Sequence, residues 1–262
     1  MTLTQGMEIE IVDYLLSAEK EAKEVIKVTD RYPDLMIEKA YYLQRQLIER
    51  KIKEGAKHVG VKLGLTSKAK QEMMGINDAI YGYLLNDMLS TEWEPIDSKE
   101  LIHPKAEPEI AFLMGEDLQG TSVTAEDVLK KVKYVAPALE IIDSRYLNFK
   151  FTLPDVVADN CSSARFVVGS KWMKPELLDL TNVGMVMSKN GEVATVGAGA
   201  AVLGHPATAV AWAVNKLGQR KEGLKKGDIV LTGALSEAIA FESGDSIIAQ
   251  FDGLGSVSFF CK

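Results

Sequence analysis

Apolar residues recur at Ile11, Leu15, Ala18, Ala22 and Ile26 among many Glu and Lys, a period near 3.6 that predicts an amphipathic helix over residues 7–27. The same period at Ile37, Tyr41, Leu47, Ile48 and Ile52 predicts a second helix, entered after Pro33 with Asp34 as its N-cap and ended by Gly55. From His58 onward the pattern changes. Short β-rich runs predict strands at 59–63, 109–114, 134–142, 164–169, 183–188, 192–197, 228–232, 246–251 and 255–260. Turn signals separate them at Asn190-Gly191, Lys226-Gly227-Asp228, Ser243-Gly244-Asp245 and Asp252-Gly253. Two helices interrupt: 124–133, with a capping box from Thr124 to Asp127, and 207–217, closed by Gly218. Strands dominate and the helices do not alternate with them, so the expected class is α+β rather than a doubly wound sheet. The expected division is a helical N-terminal region, 1–57, whose apolar faces must pack on something, and a strand-rich domain, 58–262.

Composition narrows the partners. Thirty Lys and Arg against 37 Asp and Glu give a formal charge of -7, with no basic face for a phosphate backbone, so nucleic acid is not an expected partner. No apolar run approaches the length of a membrane span, and the N-terminus shows no basic stretch followed by an apolar core, so neither a membrane nor a signal peptide is expected. Cys161 and Cys261 are far apart and form no CxxC pair. A disulfide framework or zinc cage is therefore not expected, and a cytoplasmic setting is.

Three stretches break the ordinary pattern. "HPKAEPEIAF" puts Glu107 and Glu109 two apart at the mouth of an apolar strand, where both point the same way. Close carboxylates repel unless a proton or a cation stands between them. Glu140, at the end of "YVAPALEIID", supplies a third acid. Three carboxylates with water suit Mg²⁺ or Mn²⁺; a solvated strand edge, or pairing with lysines, is the alternative reading of the pair. In "HVGVKLGLT", Lys62 stands inside an apolar run, and alternation alone would turn it outward, with Val61 and Leu63 inward. In "VVADNCSSARF", an apolar run yields to Asp159, Asn160, Ser162 and Ser163, either a plain turn or a set of donors to a ligand. Cys161 has no histidine in sequence reach and reads as a packing residue, not a nucleophile. "GAGAAVLGHP" lacks the dinucleotide fingerprint and reads as a tight turn, with His205 before Pro206 at a helix entry.

"VKLGLT", "IYGYL", "HPKAEPEI", "PALEIIDSRYLNFKF", "VVADNCSSARFVVG", "GAGAAVLGHP", "GDIVLTGAL" and "FDGLGSVSF", in this order, resemble the fumarylacetoacetase-like superfamily, and within it the hydratase/decarboxylase branch of meta-cleavage catabolism. The resemblance implies a fumarylacetoacetase C-terminal-like mixed β-roll with a helical N-terminal region. It implies Mg²⁺ or Mn²⁺ on Glu107, Glu109 and Glu140, and it maps the family's strand lysine onto Lys62. "IDSRYLNFKF" is similar to the decarboxylases of the branch; the hydratases have "SRI" followed by "DW". "AIYG", Ala79 to Gly82, stands where hydratases read "PDFG" or "PDYG", so Ile80 replaces their acid. Cys161 departs from the alanine usual in decarboxylases.

The implied reaction is loss of the distal carboxylate of a 2-oxo-3-enedioate as CO₂, with the released electron pair drawn through the conjugated chain toward the cation. Lys62 would bond the developing negative oxygen or deliver the finishing proton. Leu63, Leu65 and Ile80 would form apolar walls, and Asn160, Ser162 and Thr232 are candidate donors to substrate. Arg145 would pair with a carboxylate, the substrate's or one near Glu140. Hydration of a dienoate is the alternative. An acylpyruvate-type C–C hydrolase would need a His–Glu pair on a lid, and residues 64–82 contain no histidine. A non-catalytic scaffold for a hydratase is a third reading, which the acid triad and Lys62 oppose. Because the product is unstable in water, a homo-oligomer or a complex with vinylpyruvate hydratase is expected.

Overall fold

The computed structural model describes residues 3–68, 71, 72, 76 and 78–262. The chain opens with helices α1 (Gln5–Lys20), α2 (Val28–Arg31) and α3 (Ile37–Lys53). Strands β1 (His58–Gly64), β2 (Ile80–Leu85), β3 (Leu89–Ser90) and β4 (Lys105–Met114) follow, then α4 (Ala125–Lys131), β5 (Val132–Ile142), α5 (Leu153–Ala158) and β6 (Ser163–Val168). Strands β7 (Gly184–Lys189) and β8 (Glu192–Ala198) precede α6 (Pro206–Gly218), and β9 (Ile229–Leu231), β10 (Ile239–Ala240), β11 (Ser246–Phe251) and β12 (Gly255–Phe260) complete the chain.

One sheet runs in the order β2-β1-β9-β4-β5-β6-β3, with β10 paired to β4, and a second runs β12-β11-β7-β8. The β1–β9 and β3–β6 pairs are parallel and the remainder antiparallel. Strands β11 and β12 of the second sheet pack on β5 and β6 of the first. This is the mixed α+β roll expected, with its helices at the front. A single apolar cluster joins Leu15 of α1, Leu43 and Leu47 of α3, Leu63 of β1, Phe112 of β4, Phe166 of β6 and Phe259 of β12. Each such side chain contributes about 1.5–3 kcal/mol by leaving water. The outer face of the second sheet is less covered: Val186, Val193, Val196, Ile248 and Phe260 are exposed. Among the described residues no helix is long and apolar enough to cross a membrane.

Several boundaries move for identifiable reasons. Helix α1 stops at Lys20, not 27, because Ala22 takes a left-handed φ of 47° and the Lys23 N–H turns back to Ala18 O. Alanine rarely does this work, so the stop is not visible in the residue types. Helix α3 begins at Ile37 with Met36, not Asp34, as N-cap; its end matches expectation, since Gly55 follows the cap with φ 115°. Strand β2 and helix α5 were not anticipated. The signal for α5 is present: the Thr152 and Asp155 side chains form a capping box, with Pro154 in the first turn. His205 is the N-cap of α6, its Nδ1 accepting from the Ala207 N–H at 3.0 Å.

Candidate active site

The antiparallel register of β4 and β5 sets Glu107 opposite Glu140 and Glu109 opposite Ala138. Side chains two apart share a face, so all three acids converge. A ligand oxygen from each of Glu107, Glu109 and Glu140 lies within 4.8 Å of the others. Glu109 and Glu140 are fully buried. Burial first, then the charges of Glu140 and Glu107, push the Glu109 carboxyl well above its ordinary range, against Lys62 and the Gly233 N–H. Burial raises Glu140 too, with Lys62 opposing and Glu107 adding. Glu109 Oε2 accepts from the Gly233 N–H at 2.6 Å, whereas its Oε1 is buried with no hydrogen-bond partner among the described residues. Three carboxylates converge beside the Lys62 ammonium, a negatively charged cluster of the kind a divalent cation occupies. The all-oxygen donor set suits Mg²⁺ or Mn²⁺, so the residues present fit the group.

Lys62 is not turned outward. Its Nζ is 2.9 Å from Glu140 Oε2 and donates to Cys161 O at 3.2 Å, with the residue 2% exposed. Burial works against its charge, but Glu140, Glu107 and Glu109 outweigh that, so its pKa stands above an ordinary lysine's and it remains an ammonium. An ammonium has three donors. Two are directed to these protein partners.

The carbonyl that Lys62 meets belongs to a turn in which Asn160, Cys161 and Ser162 take φ values of 46°, 54° and 56°. Left-handed backbone costs roughly 1–2 kcal/mol per non-glycine residue, so the turn persists only because its surroundings hold it. Asn160 supplies part of the hold. Its Oδ1 accepts the Tyr83 N–H at 2.8 Å and its Nδ2 donates to Tyr83 O at 2.9 Å. This amide completes the edge of β2 as a neighbouring strand would, which corrects the expectation that it faces substrate. Gly82 allows the approach: a Cβ there would lie 2.7 Å from Asn160 O.

Ile80 flanks the lysine. It pairs in register with Gly64, as Gly82 does with Lys62. A Cβ on Gly64 would lie 3.1 Å from Ile80 Cγ1 and 3.8 Å from Lys62 Nζ, so both side chains border one point above the bare glycine. Leu63 pairs with Tyr81 and is fully buried in the core cluster. Successive strand residues face opposite ways, so its side chain leaves the Lys62 face, and the expectation that it forms an apolar wall there is corrected. Within the stretch 64–82, residues 69, 70, 73–75 and 77 lie outside the described residues.

Thr232 is fully buried and its hydroxyl donates to Ile110 O at 2.9 Å. Ser162 Oγ is buried and has no hydrogen-bond partner among the described residues. Arg145 is taken up by the protein: its Nε lies 3.2 Å from Asp159 Oδ1, its Nη1 and Nη2 donate to Asp143 O and Ser163 O, and Nη2 lies 3.3 Å from Glu19 Oε2. Of the two kinds of carboxylate expected for it, the substrate's or the protein's, the guanidinium meets the protein's, at Asp159 and Glu19. The Cys161 thiol is pushed up to about 12 by burial, in keeping with a packing role.

Three contributors were not anticipated. Ser163 Oγ donates to Glu140 Oε1 at 3.1 Å. Gly233, with φ 107°, aims its N–H at Glu109, and a Cβ there would meet Thr66 Oγ1 at 2.0 Å. Gln44, from α3, donates to Tyr81 O. Ser163 lay within the polar cluster already noted; a single glycine and a glutamine on a helix carry no comparable signal.

The profile of the fumarylacetoacetate (FAA) hydrolase C-terminal family matches residues 63–259. A 4-oxalocrotonate decarboxylase of Pseudomonas putida is 43% identical over 257 residues, covering 98% of this chain and 97% of that protein. A 2-keto-4-pentenoate hydratase of Paraburkholderia xenovorans is 38% identical over 97% of this chain and 95% of its own length. The solved structure of 4-oxalocrotonate decarboxylase from Pseudomonas putida G7, complexed with magnesium and adipate, is similar with a TM-score of 0.97 at 41% identity, covering 100% of this chain and 99% of that one. A profile match of this length and relatives alike from end to end lead to one conclusion: the chain belongs to the fumarylacetoacetate hydrolase C-terminal family.

Proposed function

We propose that the chain decarboxylates 2-oxo-3-hexenedioate (4-oxalocrotonate) to 2-oxopent-4-enoate, or its tautomer 2-hydroxypenta-2,4-dienoate, and CO₂. The observation that carries the reading is the placing of Ile80 beside Lys62 Nζ, next to three converging carboxylates. The relatives named 4-oxalocrotonate decarboxylase, at 43% identity, support it. Glu107, Glu109 and Glu140 would hold Mg²⁺ or Mn²⁺, which supplies Lewis-acid attraction for an electron pair arriving at the substrate's 2-oxo oxygen.

The bond between C5 and the distal carboxylate breaks, its electron pair moves through the conjugated chain, and neutral CO₂ departs. Lys62, held as an ammonium by Glu140, gives a proton at C3 or at the oxygen and completes the product. Among the described residues its third N–H meets no acceptor, and the reading gives it to the substrate. The Ser162 hydroxyl is a further candidate donor to substrate. Ile80 walls the distal end without charge, where an acid would repel the departing carboxylate. The reading extends to assembly as a homo-oligomer or with vinylpyruvate hydratase, for which the exposed apolar face of the second sheet offers a surface. Sedimentation of the chain, alone and with that hydratase, tests this; monomer in both would contradict it.

The deciding experiment is incubation of the Mg²⁺-loaded protein with 2-oxo-3-hexenedioate while CO₂ is measured. Efficient hydration of 2-hydroxypenta-2,4-dienoate, with no CO₂ from the enedioate, would assign the chain to the hydratases instead.

A further inference from the structure

Helix α3 buries one polar side chain that packing does not explain. Gln44 is fully buried among Tyr41, Leu43 and Leu47. Its Nε2 donates to Tyr81 O at 3.0 Å and to Val157 O at 3.1 Å, with Cys161 Sγ at 3.7 Å. Two carbonyls fix the sense of the amide, because its oxygen in that place would face acceptors only. The Gln44 oxygen is then buried with no hydrogen-bond partner among the described residues. A methionine would fill the same space and remove the orphaned oxygen, but it would take the amide donor from Tyr81 O and Val157 O, so what the amide contributes is the tie between those two carbonyls.

What the amide holds is the back of the site. Strand β2 is the last in its sheet, and its free edge is closed by side chains. Asn160 takes the Tyr83 N–H and carbonyl, and Cys161 Sγ donates to Tyr81 O at 3.1 Å beside Gln44. Cys161 O, in the same left-handed turn, accepts from Lys62. Gln44 thus grips both walls between which the turn is set: Tyr81 of β2 and Val157 of α5. Tyr41, one turn earlier on α3, stacks on Tyr81 with ring centres 4.9 Å apart, so the helix meets this strand by a ring and an amide together.

We propose that Gln44 is a positioning residue for the reaction. By tying α3 to Tyr81 and Val157 it keeps the turn Asn160–Ser162 where the Cys161 carbonyl orients the Lys62 ammonium. The helical front is thereby part of the catalytic apparatus, although Gln44 touches no reacting atom. The inference rests on the proposed role of Lys62 but not on which sister reaction it serves.

The test is a double-mutant cycle on the full, Mg²⁺-loaded chain, with Gln44→Met and Lys62→Ala. It uses whichever of 2-oxo-3-hexenedioate or 2-hydroxypenta-2,4-dienoate the wild type turns over, so an error about the reaction does not affect it. Gln44→Met should lower kcat about tenfold or more with KM and Mg²⁺ affinity nearly unchanged, and should have almost no further effect once Lys62 is alanine. A merely structural role would lower kcat equally in both backgrounds. That result overturns the proposal, as does a wild-type kcat in Gln44→Met. Full activity in Lys62→Ala would refute the role of the lysine and the inference with it. If Gln44→Met fails to fold, Gln44→Asn, which keeps an amide one methylene short of its partners, takes its place in the same cycle.

Discussion

Lys62 Nζ stands 2.9 Å from Glu140 Oε2, with both side chains buried. The lysine neutralises part of the acid cluster, and the proposed reaction also makes it the proton donor to the product; substitution separates these roles. Lys62→Ala should lower kcat by roughly 10²-fold or more, the scale of acid–base assistance. It also removes a positive charge beside the acids, so divalent-cation affinity should hold or rise. Steady-state kinetics beside calorimetric Mg²⁺ titration checks both; weakened cation binding would show the lysine to be part of the cation site.

Glu109→Gln keeps the shape of a buried side chain and removes its charge. Among the described residues Glu109 Oε1 has no hydrogen-bond partner, while Oε2 keeps the Gly233 N–H. Loss of a direct carboxylate ligand should weaken Mg²⁺ binding beyond the roughly 10–100-fold typical of supporting residues. Unchanged affinity in both Glu107→Gln and Glu109→Gln would sink the cation site.

Ile80→Asp should impair decarboxylation more than it impairs cation binding. The side chain and Lys62 Nζ border the same point above Gly64. A carboxylate there would repel the substrate's distal carboxylate and compete with Glu140 for the lysine. The readout is CO₂ release set against Mg²⁺ affinity for the same variant; a full rate of CO₂ release would remove Ile80 from the site.

Glu19 joins α1 to Arg145 and Lys51. Burial would raise its pKa, but the Arg145 guanidinium and the Lys51 ammonium outweigh burial and hold it at about 2, below the usual 4.5. A depressed folded pKa means the unfolded chain binds more protons, so this contribution is whole above about 4.5 and is lost as pH falls toward about 2. Glu19→Gln should lower Tm near neutrality and flatten its decline across that interval. A variant with the wild-type acid limb in thermal melts would show the contact to be inert.

Much of this site is legible because strands impose a period of two. Glu107 and Glu109 share a face by spacing alone, and β5 runs antiparallel to bring Glu140 opposite. The same period misleads at Lys62: alternation with Val61 and Leu63 suggests a half-exposed strand, yet β1 lies between β2 and β9 with both faces covered. Asn160 and Arg145 were legible as polar residues near the site, but not in their partners. Tyr83 N–H and O, Asp143 O and Ser163 O among those partners are backbone groups, which the sequence does not distinguish, and the Asp159 and Glu19 carboxylates come to Arg145 from other elements. The acid triad follows from residue identity and strand period and can be read; the support behind it depends on backbone groups and on side chains brought from distant elements, such as Gln44 and Glu19, and cannot.

The left-handed turn at Asn160, Cys161 and Ser162 also bears on efforts to make the protein more heat-tolerant. Backbone strain at non-glycine residues invites substitution by glycine, which relaxes the folded chain but widens the unfolded ensemble. At 160 that exchange would also delete the amide closing the edge of β2, so any gain in heat tolerance there would come at the expense of the lysine's setting. Lys221 has a comparable φ of 61° but is exposed, in the segment between α6 and β9. A glycine trial belongs at that surface turn, leaving the buried one as it is.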